Sequence, residues 1–227
     1  MNWLQRKITG MTASGQLDDA REAVRREDYA AAIDIATKAQ QVFQSISDDR
    51  GVMRSLCIIA GSQLALNALD KAETDYTRAQ ALCESVSKQS PNSCDLESID
   101  VAMGLGDVRR LGGKDDEAEK LYRQALTTME NVGVHDSSFP ESARATNGLG
   151  TLMMQQQKND EAEKYFERAF AAIEYPPSGD QHLYALSTLV ATNYAELLRK
   201  LNKVEEAEDI ENHVKDLKEA NPKNQPY

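Results

Sequence analysis

One ten-residue segment of this chain occurs twice. Glu117-Ala118-Glu119-Lys120-Leu121-Tyr122-Arg123-Gln124-Ala125-Leu126 returns 44 residues later as Glu161-Ala162-Glu163-Lys164-Tyr165-Phe166-Glu167-Arg168-Ala169-Phe170, and a weaker copy starts at Glu206-Ala207-Glu208. With the first alanine as anchor, equivalents stand at Ala32, Ala72, Ala118, Ala162 and Ala207, spaced by 40, 46, 44 and 45 residues. Seven residues after the anchors come Ala39, Ala79, Ala125, Ala169 and Val214; twelve before them come Ala20, Ala60, Gly106, Gly150 and Ala195. Three columns of small residues in five copies predict closely crossing helices, because a larger side chain there would hold the backbones apart. A unit of this length cannot bury its apolar face alone, so the copies must stack on one another.

Each unit reads as two helices, since apolar residues recur at three- and four-residue steps throughout. The second unit gives helices over about 51–66 and 69–86, the third over 96–110 and 115–131 around the Gly112-Gly113 turn, the fourth over 140–156 and 159–174, and the fifth over 180–201 and 204–219. Turn-rich segments separate the units, and Pro140, Asp95 and Asp180 suit helix starts. The expected organisation is a cap helix or arm at 1–14, a solenoid at 15–219 (units 15–47, 48–92, 93–137, 138–179 and 180–219) and a frayed tail at 220–227. No segment reads as a strand. Trp3, Leu4, Ile8 and Met11 fall near one face of the first helix and are expected to pack on the first repeat; a membrane-surface or partner-docking helix is the sharper reading.

Composition excludes several classes. The 37 acidic and 26 basic residues among 227 leave a net charge of -11, which argues against nucleic acid, whose phosphates need clustered Lys and Arg. Charged residues make up 28% of the chain, and no stretch approaches the roughly 18 apolar residues of a membrane-spanning helix. No secretory leader precedes the repeats and three cysteines make no disulfide framework, so a cytoplasmic location is expected. Cys57 reads as a small buried hydrophobe; Cys83 and Cys94 flank a polar loop and either pair across it or stay as thiols.

The Leu105-Gly106, Leu149-Gly150 and Tyr194-Ala195 pairs, with Ala72-Tyr76-Ala79, Ala118-Tyr122-Ala125 and Ala162-Phe166-Ala169, resemble the two-helix signature of the tetratricopeptide repeat. The longer unit, His135-Asp136 ahead of Pro140, and Asn193 to Leu201 are similar to the kinesin-light-chain type. The resemblance covers about 15–219. It weakens in the first unit, where Asp19 takes the usual Leu column, and in the fifth, where Glu211 takes the aromatic column. It implies an all-α, right-handed α-solenoid of about five helix pairs whose first helices line a concave groove.

Chemistry for catalysis is missing. There is no phosphate loop and no HExxH; Gly104-Leu105-Gly106 lies inside a helix, and His135, His182 and His213 lie far apart. Paired acids such as Glu117/Glu119 diverge on a helix. Hence no enzyme activity, cofactor or metal is expected. Stepping along the first helices places Arg54, Arg144, Asn147, Thr151, Asn193 and Arg199 on the groove face. Asn147 and Asn193 carry a donor and an acceptor that suit an extended peptide backbone, or else bond neighbouring helices. Arg144 and Arg199 could fork onto a carboxylate. The expected function is a protein- or peptide-binding scaffold or adaptor; the alternative is a self-associating subunit of a larger complex.

Overall fold

The computed structural model describes residues 2–90, 92–133, 140–176 and 181–220, the last span without the side chains of 181 and 182. The expectations at His135 and Asp136, the Asp180 cap, the His182 side chain and the tail from 221 lie outside the described residues. Within them stand ten α-helices and no strand: α1 Trp3–Arg25, α2 Tyr29–Ser45, α3 Asp49–Ala65, α4 Leu69–Gln89, α5 Asp95–Leu111, α6 Asp115–Asn131, α7 Pro140–Gln155, α8 Asn159–Ile173, α9 Gln181–Lys200 and α10 Val204–Ala220. They form two compact units, residues 1–114 with α1 to α5 and residues 115–227 with α6 to α10.

The three small columns all lie in the interior. The anchors Ala32, Ala72, Ala118, Ala162 and Ala207 are completely buried, as are Ala39, Ala79, Ala125 and Ala169, Ala20 and Ala60. Between them the aromatic column works as a wedge. In the first unit the Tyr76 ring sits so close to Gly104 of α5 that a Cβ there would lie 2.1 Å from it, and its hydroxyl reaches Gly61 of α3. In the second unit Tyr122 presses on Gly148 of α7, and Phe166 presses on Gly150 of α7 while stacking on Tyr194 of α9 with ring centroids 6.3 Å apart. Each ring therefore packs a second helix against first helices, and glycine is needed where the ring arrives.

The turn inside each pair repeats as a backbone motif. Glu27, Asn67, Gly113, Gln157 and Asn202, each five residues before its anchor, all hold φ between 58° and 70°. In the second pair, the Asn67 N–H donates to the Leu64 carbonyl and the Ala68 N–H to the Gln63 carbonyl, at 2.9 and 2.8 Å. The same two bonds recur at 113/114, 157/158 and 202/203. This is the Schellman closure, which satisfies carbonyls that a helix end leaves open.

Several local expectations change. The segment expected as a separate cap and the first helix of the first unit are continuous in α1, which Asn2 and Gln5 start with a reciprocal capping box at 2.8 and 3.1 Å. Trp3, Leu4, Ile8 and Met11 do not pack on the first repeat. Ala13, Leu17, Ala20 and Ala23 form the buried face of α1, and the four larger residues point away from it into solvent. At α5 the cap position belongs to Cys94, and Asp95 is the first helical residue. Cys94 makes no side-chain cap because its thiol turns inward, donating to the Cys83 carbonyl at 3.4 Å and lying 3.1 Å from the Ser87 hydroxyl. Both cysteines are buried free thiols beside Met53, and burial pushes the Cys83 thiol far above its ordinary range. Cys57 is half-buried.

Candidate functional site

Within the second unit, α7 and α9 are neighbouring first helices, and they meet through two asparagines. Asn193 Nδ2 donates to Asn147 Oδ1 at 3.0 Å. Asn147 is buried and Asn193 half-buried. One turn along α7, the Thr151 hydroxyl donates to the Asn147 carbonyl at 2.9 Å, which leaves its oxygen as an acceptor. One turn before Asn193 on α9 stands Leu189, 50% exposed, so an apolar side chain shares the face of the amide pair. The asparagine bond uses one N–H of Asn193 and the Asn147 acceptor. The Asn193 carbonyl oxygen makes no side-chain bond within the described residues.

The arginines are already engaged. Arg199 reaches out of α9 to α10 and forks onto Glu211, Nε to Oε1 at 2.9 Å and Nη2 to Oε2 at 2.8 Å, with Glu208 at 3.8 Å. Its hydrogen bond holds the Glu211 carboxyl below the usual carboxylate range, and the Arg199 guanidinium rises in turn. Arg144, half-buried on α7, is likewise partnered. The Glu211 departure at the aromatic column has its reason here: no later first helix packs on α10 among the described residues, so no ring is wanted, and the position carries an ion pair instead.

Within the first unit, Arg54 is joined by a residue the sequence reading did not select. Glu97 of α5 has a side chain only 3% exposed. Arg54 Nε donates to its Oε1 at 2.8 Å, and Arg50 Nη2 donates to Oε1 and Oε2 at 3.1 and 3.3 Å. A buried carboxylate needs such compensation, so the three residues tie α3 to α5. The signal was faint: a lone acid between Leu96 and Ile99, at a position the helical period assigns to the interior. The six residues chosen from sequence thus fall into separate sets, Arg54 in the first unit and Arg144, Asn147, Thr151, Asn193 and Arg199 in the second.

Among the described residues, no group of three or more His, Cys, Asp or Glu could hold a metal ion, and no helix is long and apolar enough to cross a membrane. His213 Nε2 lies 2.9 Å from the Glu174 carbonyl, with its ring edge-on to Phe170 and Tyr175. It anchors α10 to the end of α8.

The sequence model of the tetratricopeptide repeat family matches residues 95–174, from the start of α5 through α8. Residues 95–174 carry tetratricopeptide repeats. No curated protein sequence matches it. Among solved structures it is similar to BtubC (BKLC) from P. vanneervenii, at 18% identity and a TM-score of 0.65 over 98% of this chain and 94% of that one. A thermophilic tetratricopeptide-repeat protein of Thermus thermophilus matches at 16% identity and a TM-score of 0.52, over 90% of this chain and 98% of that one. The Rap conjugation gene regulator of plasmid pLS20, solved in complex with the Phr* peptide, matches at 18% identity and a TM-score of 0.60, over 92% of this chain and 58% of that one. At these identities the likeness is one of fold: an all-α solenoid built from tetratricopeptide helix pairs.

Proposed function

We propose that this tetratricopeptide-repeat protein is a non-catalytic binding scaffold, and that α7 and α9 hold an extended segment of a protein partner. The observation that carries the reading is the Asn147–Asn193 pair at 3.0 Å. It fixes two amides rigidly on adjacent first helices, leaves the Asn193 oxygen to accept a partner N–H, and lies beside the exposed Leu189. A backbone-reading amide next to an apolar contact suits an extended chain, whose main-chain groups and alternate side chains are the two things on offer. The Rap regulator, a fold neighbour, was solved with a peptide, which agrees with such a use of the fold. Thr151 adds an acceptor, whereas Arg199 and Arg54 serve their carboxylates and hold helices together.

Removing both amides tests the reading. Replacing two bonded partners together by apolar groups leaves no orphaned donor, so stability changes little. Asn147→Ala with Asn193→Ala is expected to weaken retention of the cellular partner, or of peptides selected from a display library, by about tenfold or more, since each lost hydrogen bond contributes about 1 kcal/mol. Helicity and melting temperature should stay near those of the parent. Undiminished retention by the double variant overturns the proposal.

A further inference from the structure

Cys83 and Cys94 both stand where the repeat uses other residues. Eleven residues after their anchors, the first, third and fourth pairs place Phe43, Met129 and Ile173, all buried. The second pair places Cys83 there, the smallest side chain of the column. Twenty-four residues before the anchor Ala72 stands Asp48, whose side chain accepts the Gly51 N–H at 3.0 Å and starts α3. The same position before Ala118 is Cys94, which starts α5 without a side-chain cap. A large apolar residue fills a core better than cysteine, and an acid closes a helix start better. Both departures therefore give up stability, and in space they meet.

Their contact is reciprocal. The Cys94 thiol donates to the Cys83 carbonyl at 3.4 Å, and the Cys83 thiol donates to the Cys94 carbonyl at 3.9 Å. With Met53 of α3 the two residues form one buried cluster, against which Leu82 and Val86 pack. Cys57 lies outside this cluster. Ser87, one turn after Cys83 on α4, brings its hydroxyl to 3.1 Å from Cys94 Sγ, where it can donate to that sulfur when the sulfur carries charge.

We propose that Cys83 and Cys94 are a redox pair, which a small-molecule disulfide of the glutathione type converts to a Cys83–Cys94 disulfide and excess thiol converts back. Cys94, one residue outside α5, attacks one sulfur of the oxidant R–S–S–R as its thiolate and expels R–S⁻. Cys83, within α4 and held protonated by burial, then attacks the Cys94 sulfur of the mixed disulfide. The bond from Cys94 to the R–S group breaks, and the Cys83 proton leaves with that second thiol. Two protein thiols and one R–S–S–R thus give one protein disulfide and two R–SH. Because both sulfurs are buried, the oxidant reaches them only when the α4–α5 connection opens, so exchange takes on the order of hours. The bond ties the end of α4 to the start of α5, one turn before Glu97 accepts Arg50 and Arg54 from α3. This pair lies outside the α7–α9 site and stands or falls independently of it.

The test is incubation of the folded full chain overnight with millimolar oxidised glutathione and a metal chelator, followed by alkylation and mass spectrometry. Expected are a loss of two hydrogens from the intact mass, joint protection of Cys83 and Cys94 from alkylation, a Cys83–Cys94 cross-linked peptide, and recovery of both thiols in dithiothreitol. Closing so short a loop should also raise the melting temperature of the oxidised chain by about 5 °C or more over the reduced one. The Cys83→Ala variant should stop at the mixed disulfide and keep one glutathione on Cys94, whereas a variant with none there overturns the order of attack. The parent chain suffices for the rest. Free thiols at both positions after incubation overturn the proposal, as does glutathione retained on Cys94 of the parent. A cross-link to Cys57 or between two chains overturns it equally, and so does a bond that forms only in urea or an oxidised chain that melts no higher than the reduced one.

Discussion

At Gln157, φ is 61°, a conformation that costs an L-residue with a long side chain about 1 kcal/mol and glycine almost nothing. The same turn position is Glu27 in the first pair, Asn67 in the second, Gly113 in the third and Asn202 in the fifth. Glycine and asparagine enter this region most easily, so the Glu and Gln copies keep strain that the two Schellman bonds outweigh. Gln157→Gly is therefore expected to stabilise the protein by about 0.5 kcal/mol after glycine's greater unfolded-state entropy is subtracted, and Gly113→Ala to destabilise it by about 1 kcal/mol. Urea unfolding of the two variants checks both signs, and a Gln157→Gly midpoint below the parent's would show that the side chain contributes something the turn geometry does not contain. Only Gly113 was readable as a turn beforehand. Glu27 and Gln157 carry no sequence signal for left-handed backbone, because the closing bonds, and not the residue's own preference, select it.

Between helices, the decisive contact is ring against glycine. An added Cβ at Gly148 would stand 2.6 Å from the Tyr122 ring, and Tyr122 is completely buried, so the ring has nowhere to swing. Gly148→Ala should cost about 1–3 kcal/mol as overpacking, even though alanine favours a helix interior over glycine by up to about 1 kcal/mol. Trimming the ring in the same molecule, as Gly148→Ala/Tyr122→Leu, should recover part of the loss. Thermal melts of the single and double variants measure it, and additive losses would mean that ring and glycine do not meet. The pattern Ala–Tyr/Phe–Ala made the wedge foreseeable on the second helix. Which glycine receives the ring was not foreseeable, since Tyr76 and Tyr122 press on the first helix that follows them while Phe166 presses on the one before it.

For the whole molecule, the repeat makes nearly every packing contact a contact between helices close in sequence, and each unit can be read on its own. In the second unit α8 buries Ala162, Phe166 and Ala169 completely, whereas α10 keeps a charged outer face with Glu205, Glu206 and Glu208 in solvent. Amides in the middle of α8 are expected to exchange about tenfold or more slowly than those of α10, because local opening follows the apolar contact each helix makes. Hydrogen exchange followed residue by residue decides this; equal protection from α7 to α10 would show that the unit opens as one block. The acidic excess gathers on such outer faces and second-helix starts, for example Asp115, Asp116 and Glu117, where the helix dipole favours it.

Periodicity and three columns of small residues were enough, by themselves, to determine an all-helical repeat of five pairs and its register, since spacing and side-chain size are properties of the chain alone. Side-chain partnership was decided only in three dimensions. Asn147 and Asn193 are 46 residues apart and became one pair; Arg199 met Glu211 instead of the open face; Glu97 became a buried carboxylate because Arg50 and Arg54 came to it from another helix. Trp3, Leu4, Ile8 and Met11 show the same division. Their helical spacing was plain in the sequence, but whether that face turned to the repeat or to solvent depended on which side of α1 carried the small residues that could approach α2 closely.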